Sequence, residues 1–253
     1  MINFERIARG ALETYPYRWA AIDDLFSPED AMALATTFPC DHFKVVAGYG
    51  GEKDYEYEAR ALIGMGANTI SYSKELSQSW RALARDLLSP NYRAAVSQLT
   101  GQDLTDALLE VNVFHYGPGA SLGPHPDLAD KIVTHVLYFN QAWNKEDGGC
   151  LTILRSSDAM NIVAEIAPLV GCSAVLVRSE NSWHAVSRVV NERCPSRRSL
   201  TATFYRPGSV STMWPPDDTT SLHRYDTDDL KIETHSIGVR WARWRKKLAS
   251  LVR

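Results

Sequence analysis

Leu108-Leu109-Glu110-Val111-Asn112-Val113-Phe114-His115-Tyr116 opens a stretch in which the chain changes character. Its β-branched and aromatic residues read as a strand, and side chains two apart share a face. Glu110 and Asn112 therefore share a face with Phe114 and Tyr116. Six more such segments follow at 131–139, 150–154, 161–166, 173–177, 183–190 and 199–205, with turn residues between them. Seven short strands in succession predict an antiparallel sandwich or barrel. Upstream, residues 1–105 read as mostly helical. Apolar spacing predicts helices over 4–14 and 73–88, and Ser27-Pro28 opens another that runs to about Phe38. Ser89-Pro90 opens a fourth, which Gly101 closes. Downstream, Trp214-Pro215-Pro216 and the acidic run 217–229 read as an extended surface loop. Residues 240–253 read as an amphipathic helix with a basic outer face.

The chain has 253 residues, with 45% hydrophobic and 23% charged, the composition of an ordinary globular protein. It carries no repeat and no linker that would split it, which predicts a single catalytic domain over residues 1–253. Helical support spans 1–105, the β core 106–207, and an extension with a helix 208–253. A formal net charge of −3 argues against broad electrostatic binding to nucleic acid. No bilayer-length apolar run and no signal-peptide pattern is read, so no membrane partner is expected. Cys40, Cys150, Cys172 and Cys194 form no CxxC, which predicts reduced thiols and a cytoplasmic setting.

His125-Pro126-Asp127 carries the chemistry. On extended backbone, residues two apart point the same way, so both side chains can face one ion. The pair follows a strand and a glycine-rich turn, 116–124, and His184 begins a later strand. Two histidines and one carboxylate suit Fe(II) and leave coordination positions open. Arg197-Arg198-Ser199-Leu200-Thr201 opens the last strand, where an inward arginine can grip a carboxylate through two hydrogen bonds. Alternation lets only one of Arg197 and Arg198 face inward.

In order and spacing, residues 106–207 resemble the Fe(II)/2-oxoglutarate-dependent dioxygenases, in their prolyl-hydroxylase-like branch. The resemblance rests on His125-x-Asp127, on 133–140 followed by Trp143 and Gly148-Gly149-Cys150-Leu151, on Glu165-Ile166-Ala167-Pro168, and on Ser182-Trp183-His184-Ala185-Val186. It implies a double-stranded β-helix, or jelly roll, braced by N-terminal helices and a C-terminal helix. It implies Fe(II) on His125, Asp127 and His184, and 2-oxoglutarate on Arg197, Tyr138, Tyr116 and Thr201. Arg197 follows His184 at a longer interval than in the family, with the extra length in 191–196, and this leaves Arg198 as its rival.

The implied reaction spends dioxygen and 2-oxoglutarate, releases succinate and carbon dioxide, and hydroxylates an unactivated C–H bond. Halogenating relatives replace the carboxylate with a small residue, so Asp127 points to hydroxylation. The expected substrate is a small molecule such as a free or carrier-bound amino acid, with Glu110 and Asn112 as its contacts. A prolyl-type hydroxylase acting on protein or peptide is the alternative, and a non-catalytic jelly-roll binding module is a second. Nucleic-acid repair is disfavoured by the acidic balance. The oligomeric state is left open.

Overall fold

The structure is a computed structural model that describes residues 1–48, 55–190 and 196–225. Eleven strands among these form one sheet, and every ladder between named strands is antiparallel. They are β1 (Trp19–Ile22), β2 (Lys44–Gly48), β3 (Tyr55–Ile63), β4 (Leu108–Tyr116), β5 (Ser121–His125), β6 (Lys131–Tyr138), β7 (Leu151–Leu154), β8 (Ile162–Ile166), β9 (Ser173–Val177), β10 (His184–Val186) and β11 (Arg197–Tyr205). The order is β1-β9-β6-β11-β4-β3-β5-β10-β7-β8, with β2 added on β3. The sheet curls into a nearly closed jelly-roll barrel.

Period two sorts the long strands into two faces. Leu109, Val111 and Val113 of β4, Val133 and Leu137 of β6, and Leu200, Ala202 and Phe204 of β11 join one apolar cluster with the helices. Phe114, Tyr116, Val136, Tyr138, Ala174 and Leu176 join a second cluster inside the barrel. The remaining inward positions of β11 are Arg197, Ser199, Thr201 and Thr203.

Helices α1 (Phe4–Ala8), α2 (Pro28–Thr36), α3 (Gln78–Leu88) and α4 (Pro90–Thr100) cover the outer face. Asn3, Ser27, Ser77 and Ser89 each accept an N–H from the first turn, which satisfies donors that helix geometry leaves open. Gly101, at φ +65°, ends α4 in the left-handed conformation. Fully buried Trp80 packs 4.7 Å from Phe139 between ring centres, and its indole N–H donates to Leu34 O at 3.0 Å. His135 lies on this face too, with Tyr92 Oη 3.0 Å from its Nδ1, and burial pushes its pKa down to about 3.

Three features differ from the sequence-based expectation. The N-terminal third is not mostly helical, because β1, β2 and β3 come from it and extend the sheet. The expected helix 4–14 stops at Ala8. Gly10 packs tightly against Ile7 O and Leu99, and the chain then turns so that Glu13 bridges Trp19. The expected helix 73–88 divides into a 3₁₀ turn, Ser73–Glu75, and α3, because Ser77 caps the second piece. The expected C-terminal helix 240–253 lies outside the described residues, as do residues 191–195 of the long loop.

Residues 226–229 of the expected surface loop lie outside the described residues, and residues 206–225 are irregular and mostly exposed, as that reading expects. The latter fold back over the barrel as a strap. His223 pairs with Phe43 through the backbone, and its Nε2 lies 2.8 Å from Glu58 Oε1. Glu58 Oε2 lies 2.7 Å from His115 Nδ1, so one carboxylate on β3 ties strap to sheet. Burial works against ionising Glu58, but His115 and His223 outweigh it and hold its carboxyl below the usual range. Its folded pKa is thus below the unfolded value of about 4.3. This stabilisation is present above that pH and is lost as pH falls through the folded pKa. Glu58→Gln is expected to cost about 1 kcal/mol at pH 7, with the cost shrinking below about pH 4. Urea unfolding of both proteins at several pH values checks this, and a pH-independent difference would contradict it.

Candidate active site

β10 and β5 run antiparallel with His184 directly opposite His125, and the two imidazole centres are 4.4 Å apart. A register irregularity follows before Val186, the kind of local distortion that re-aims side chains beside a site. Pro126 biases His125 to extended backbone and sets Asp127 two residues on. Donor atoms of His125, Asp127 and His184 lie within 4.8 Å of one another, and all three residues are buried.

Each histidine is oriented by its own segment. His125 Nδ1 is 2.8 Å from Gly123 O, and His184 Nδ1 is 2.8 Å from Ser182 O. A carbonyl can only accept, so each Nδ1 carries a proton and donates. In the neutral imidazoles the lone pair then belongs to Nε2, the tautomer a metal requires. Asp127 is placed as firmly. Its Oδ1 accepts from Lys131 Nζ at 2.6 Å and its Oδ2 from Thr134 Oγ1 at 2.8 Å. Burial opposes its charge, yet Lys131 and the two imidazoles outweigh that and keep the carboxyl well below the ordinary range. Two imidazoles and one ionised carboxylate converging from one side suit an open-sided Fe(II) site.

Deeper in the barrel lies Arg197, 2% exposed. Its Nε donates to Gly149 O at 2.7 Å and its Nη1 to Ser199 Oγ at 2.7 Å. Its guanidinium lies 4.9 Å from the Tyr116 ring centre and 5.4 Å from that of Tyr138. No carboxylate among the described residues pairs with it. Tyr138 Oη is buried there, beside the Arg197 guanidinium. Burial pushes Tyr116 up to about 12 against the pull of Arg197. The close approach of Gly149 to Arg197 depends on Gly148, at φ +71°, where an added Cβ would fall 1.8 Å from Arg188 O.

Arg198 points the other way. Its guanidinium lies 5.6 Å from the Phe38 ring centre, on the helix side, and its N–H donates to Asn140 Oδ1 at 2.9 Å. Thr201 lies in the inward row, opposite Asn112 on one side and Val136 on the other.

Glu110 and Asn112 also face inward, where the strap meets them. Asn112 Oδ1 accepts from Trp214 Nε1 at 2.7 Å. Glu110 accepts from Ser211 Oγ, and from Tyr205 Oη at 3.4 Å. Lys44 holds the strap from β2. It ion-pairs with Asp218, donates to Met213 O at 2.5 Å and lies 4.1 Å from the Trp214 ring centre. Lys131, Thr134 and Trp214 were not assigned from the sequence. Lys131 had one available signal, its i,i+4 spacing from Asp127. Trp214 had none, because a residue beyond the last strand has no period to place it.

Residues 111–205 match the model of the 2OG-Fe(II) oxygenase superfamily. A prolyl-4-hydroxylase from Pseudomonas putida superposes with a TM-score of 0.52 at 21% identity, over 80% of this chain and 96% of that one. A prolyl 4-hydroxylase from Phytophthora capsici gives 0.50 at 16% identity, over 99% of this chain and 76% of that one. A search of the curated proteins finds no match. The structural likeness shows the fold, and the family match falls on the barrel that carries both the His-Asp-His cluster and the buried arginine. Residues 111–205 thus match the 2OG-Fe(II) oxygenase superfamily, whose members use Fe(II), 2-oxoglutarate and dioxygen, and the chain around them has the fold of the prolyl hydroxylases.

Proposed function

We propose that the protein hydroxylates a C–H bond of a small molecule, with Fe(II) held by His125 Nε2, Asp127 and His184 Nε2. Arg197 would take the far carboxylate of 2-oxoglutarate. The observation that carries this is a buried guanidinium with no carboxylate partner among the described residues, inside the same barrel as the triad. A buried charge without a partner is costly, and an incoming dicarboxylate would supply one. The spacing supports it. Gly149, whose carbonyl holds Arg197, donates its own N–H to Ser187 O. Ser187 is three residues beyond His184, about 10 Å along a strand. Tyr138 Oη and Tyr116 are positioned to hydrogen-bond the same co-substrate, and Thr201 to line its path.

With its co-substrate, the bound iron supplies the oxidising chemistry that puts one oxygen atom into the substrate and one into succinate. The chain's own residues orient the ligands. Lys131 and the two imidazoles keep Asp127 ionised, Thr134 holds its second oxygen, and the carbonyls of Gly123 and Ser182 keep both imidazoles in the ligating tautomer. Asp127 fills the position that halogenating enzymes leave to a halide, which supports hydroxylation.

Glu110 and Asn112 would lie on the substrate side. A cavity of about 630 Å³ opens beside Glu110 and Trp214, a size that suits a small molecule such as a free or carrier-bound amino acid. Cys40, Cys150 and Cys172 are free thiols, in keeping with a reducing, cytoplasmic setting.

Anaerobic titration with Fe(II) and 2-oxoglutarate is expected to raise the visible charge-transfer band of a chelated keto acid. His184→Ala should lose it. Arg197→Ala should need roughly 10- to 100-fold more 2-oxoglutarate, the worth of a charge-assisted bidentate contact. No band in the native protein would overturn the proposal. Thr134→Val removes one hydroxyl from Asp127 and leaves the side-chain volume nearly unchanged. Fe(II) affinity by calorimetry should fall about tenfold or more, and an unchanged affinity would mean that Thr134 does not orient the ligand.

A further inference from the structure

The barrel interior holds a second buried charge that no opposite charge neutralises. Glu110 is 2% exposed, and both of its hydrogen-bond partners, the hydroxyls of Ser211 and Tyr205, are neutral. Two other carboxylates of the fold have cations: Asp127 has Lys131 and Asp218 has Lys44. Glu110 has none among the described residues. Hydroxyl donors offset only part of the cost of desolvating a carboxylate.

The carboxylate does not face packed core. Glu110 is part of the wall of the 630 Å³ cavity, together with Ala61, Met65, Tyr72, Val210 and Trp214. Apart from Glu110 those walls are apolar or hydroxylic, so among the described residues the cavity presents one ionisable group, a carboxylate. Tyr72 and Val210 are 42% and 65% exposed, which leaves the outer rim open to an incoming molecule.

The sheet register fixes where this charge stands relative to the metal ligands. Glu110 is paired with Thr203, and Thr203 with Thr134, whose hydroxyl holds Asp127. Two strand spacings separate Glu110 from Thr134, about 10 Å. The Tyr205 hydroxyl lies in the fields of both Glu110 and Asp127. None of the triad lines the cavity itself, so a molecule whose nitrogen rests on Glu110 would reach the triad only by running inward along this row. At the other end of the same inward face, Arg197 is a buried cation without a carboxylate. The two unpaired charges are of opposite sign and would take opposite ligands.

We propose that Glu110 is the counter-charge for the substrate, and that the substrate is a small cationic amine or guanidine whose oxidised carbon lies several bonds from the nitrogen. This rests on the Fe(II)/2-oxoglutarate reading of the same site. Ser211, bonded to Glu110 in this state, would yield its place to the ligand's N–H. The hydroxyl of Tyr205 would stay beside the resulting ion pair.

The test uses the native chain loaded anaerobically with Fe(II) and 2-oxoglutarate, with the charge-transfer band confirming that loading succeeded. Cadaverine and agmatine are then titrated by calorimetry against the uncharged 1,5-pentanediol and N,N′-diacetylcadaverine. At least one cation is expected to bind tenfold or more tightly than the neutral probes and to shift the band. Glu110→Gln, which keeps the side-chain volume, is expected to abolish that preference while the band itself persists. Equal binding of charged and neutral probes, no binding by any cation, or a preference that survives Glu110→Gln would overturn the proposal. Absence of the band from the native protein would instead be the failure of the iron and 2-oxoglutarate reading. Should the variant not fold, the charged-against-neutral comparison in the native chain still decides.

Discussion

The pairing of β10 with β5, with His184 opposite His125, is the constraint that the rest of the site depends on. A strand places successive side chains on opposite faces, so a slip of one residue in either strand would turn one imidazole out of the barrel. The pairing is enforced from both sides. β10 is also bonded to β7 through Ile153 opposite His184, and β5 to β3 through Leu122 opposite Tyr55. Backbone carbonyls two residues before each histidine then fix ring orientation and tautomer together. Asp127 arrives beside them because Pro126 continues the extended path, and Thr134 and Lys131 from the next strand hold it there. The geometry of the His-Asp-His cluster is thus a product of sheet register and needs no long-range loop to assemble it.

The same alternation divides labour across the sheet. On the outer face β4, β6 and β11 offer aliphatic and aromatic residues to α3 and α4, and the cluster around Trp80, Phe139 and Phe204 supplies the burial that holds the barrel. On the inner face they carry Arg197, Ser199, Thr201, Thr203, Thr134, Asn112 and Glu110. Most buried charges in the fold are matched. Among the described residues Arg197 and Glu110 are not, and they stand at opposite ends of one inward row of β11 and β4. A fold that leaves two desolvated charges of opposite sign unmatched in one interior gives up stability there, and functional sites are where such concessions are expected.

Strand periodicity in the second half of the chain was readable, and with it the inward row. Leu108–Tyr116 and Ser173–Val177 have the bounds that their residue types suggested. Arg197 and Arg198 could be separated only as alternatives, because alternation says that neighbours differ but not which one faces in. Packing decides that, with Phe38 on one side and Tyr116 and Tyr138 on the other. From sequence alone β5 reads as a glycine-rich turn, since Gly123 and Pro124 are poor strand formers. Its pairing with β10 and β3 overrides that preference, as tertiary context does for weak local signals. The strands of the N-terminal third were missed for a related reason. β1, β2 and β3 have partners remote in sequence, and their side-chain patterns are mixed. The strap was illegible because its order comes from single anchors, Trp214 on Asn112, Lys44 on Asp218 and His223 on Glu58, and none of these has a period.

The most direct test of the site as a whole is a crystal structure grown anaerobically with Mn(II), a redox-inert stand-in for Fe(II), and 2-oxoglutarate. The account predicts one metal ion bound by Nε2 of His125, a carboxylate oxygen of Asp127 and Nε2 of His184, with the far carboxylate of 2-oxoglutarate on Arg197. Metal bound elsewhere, coordination through either Nδ1, or the carboxylate on Arg198 would contradict it.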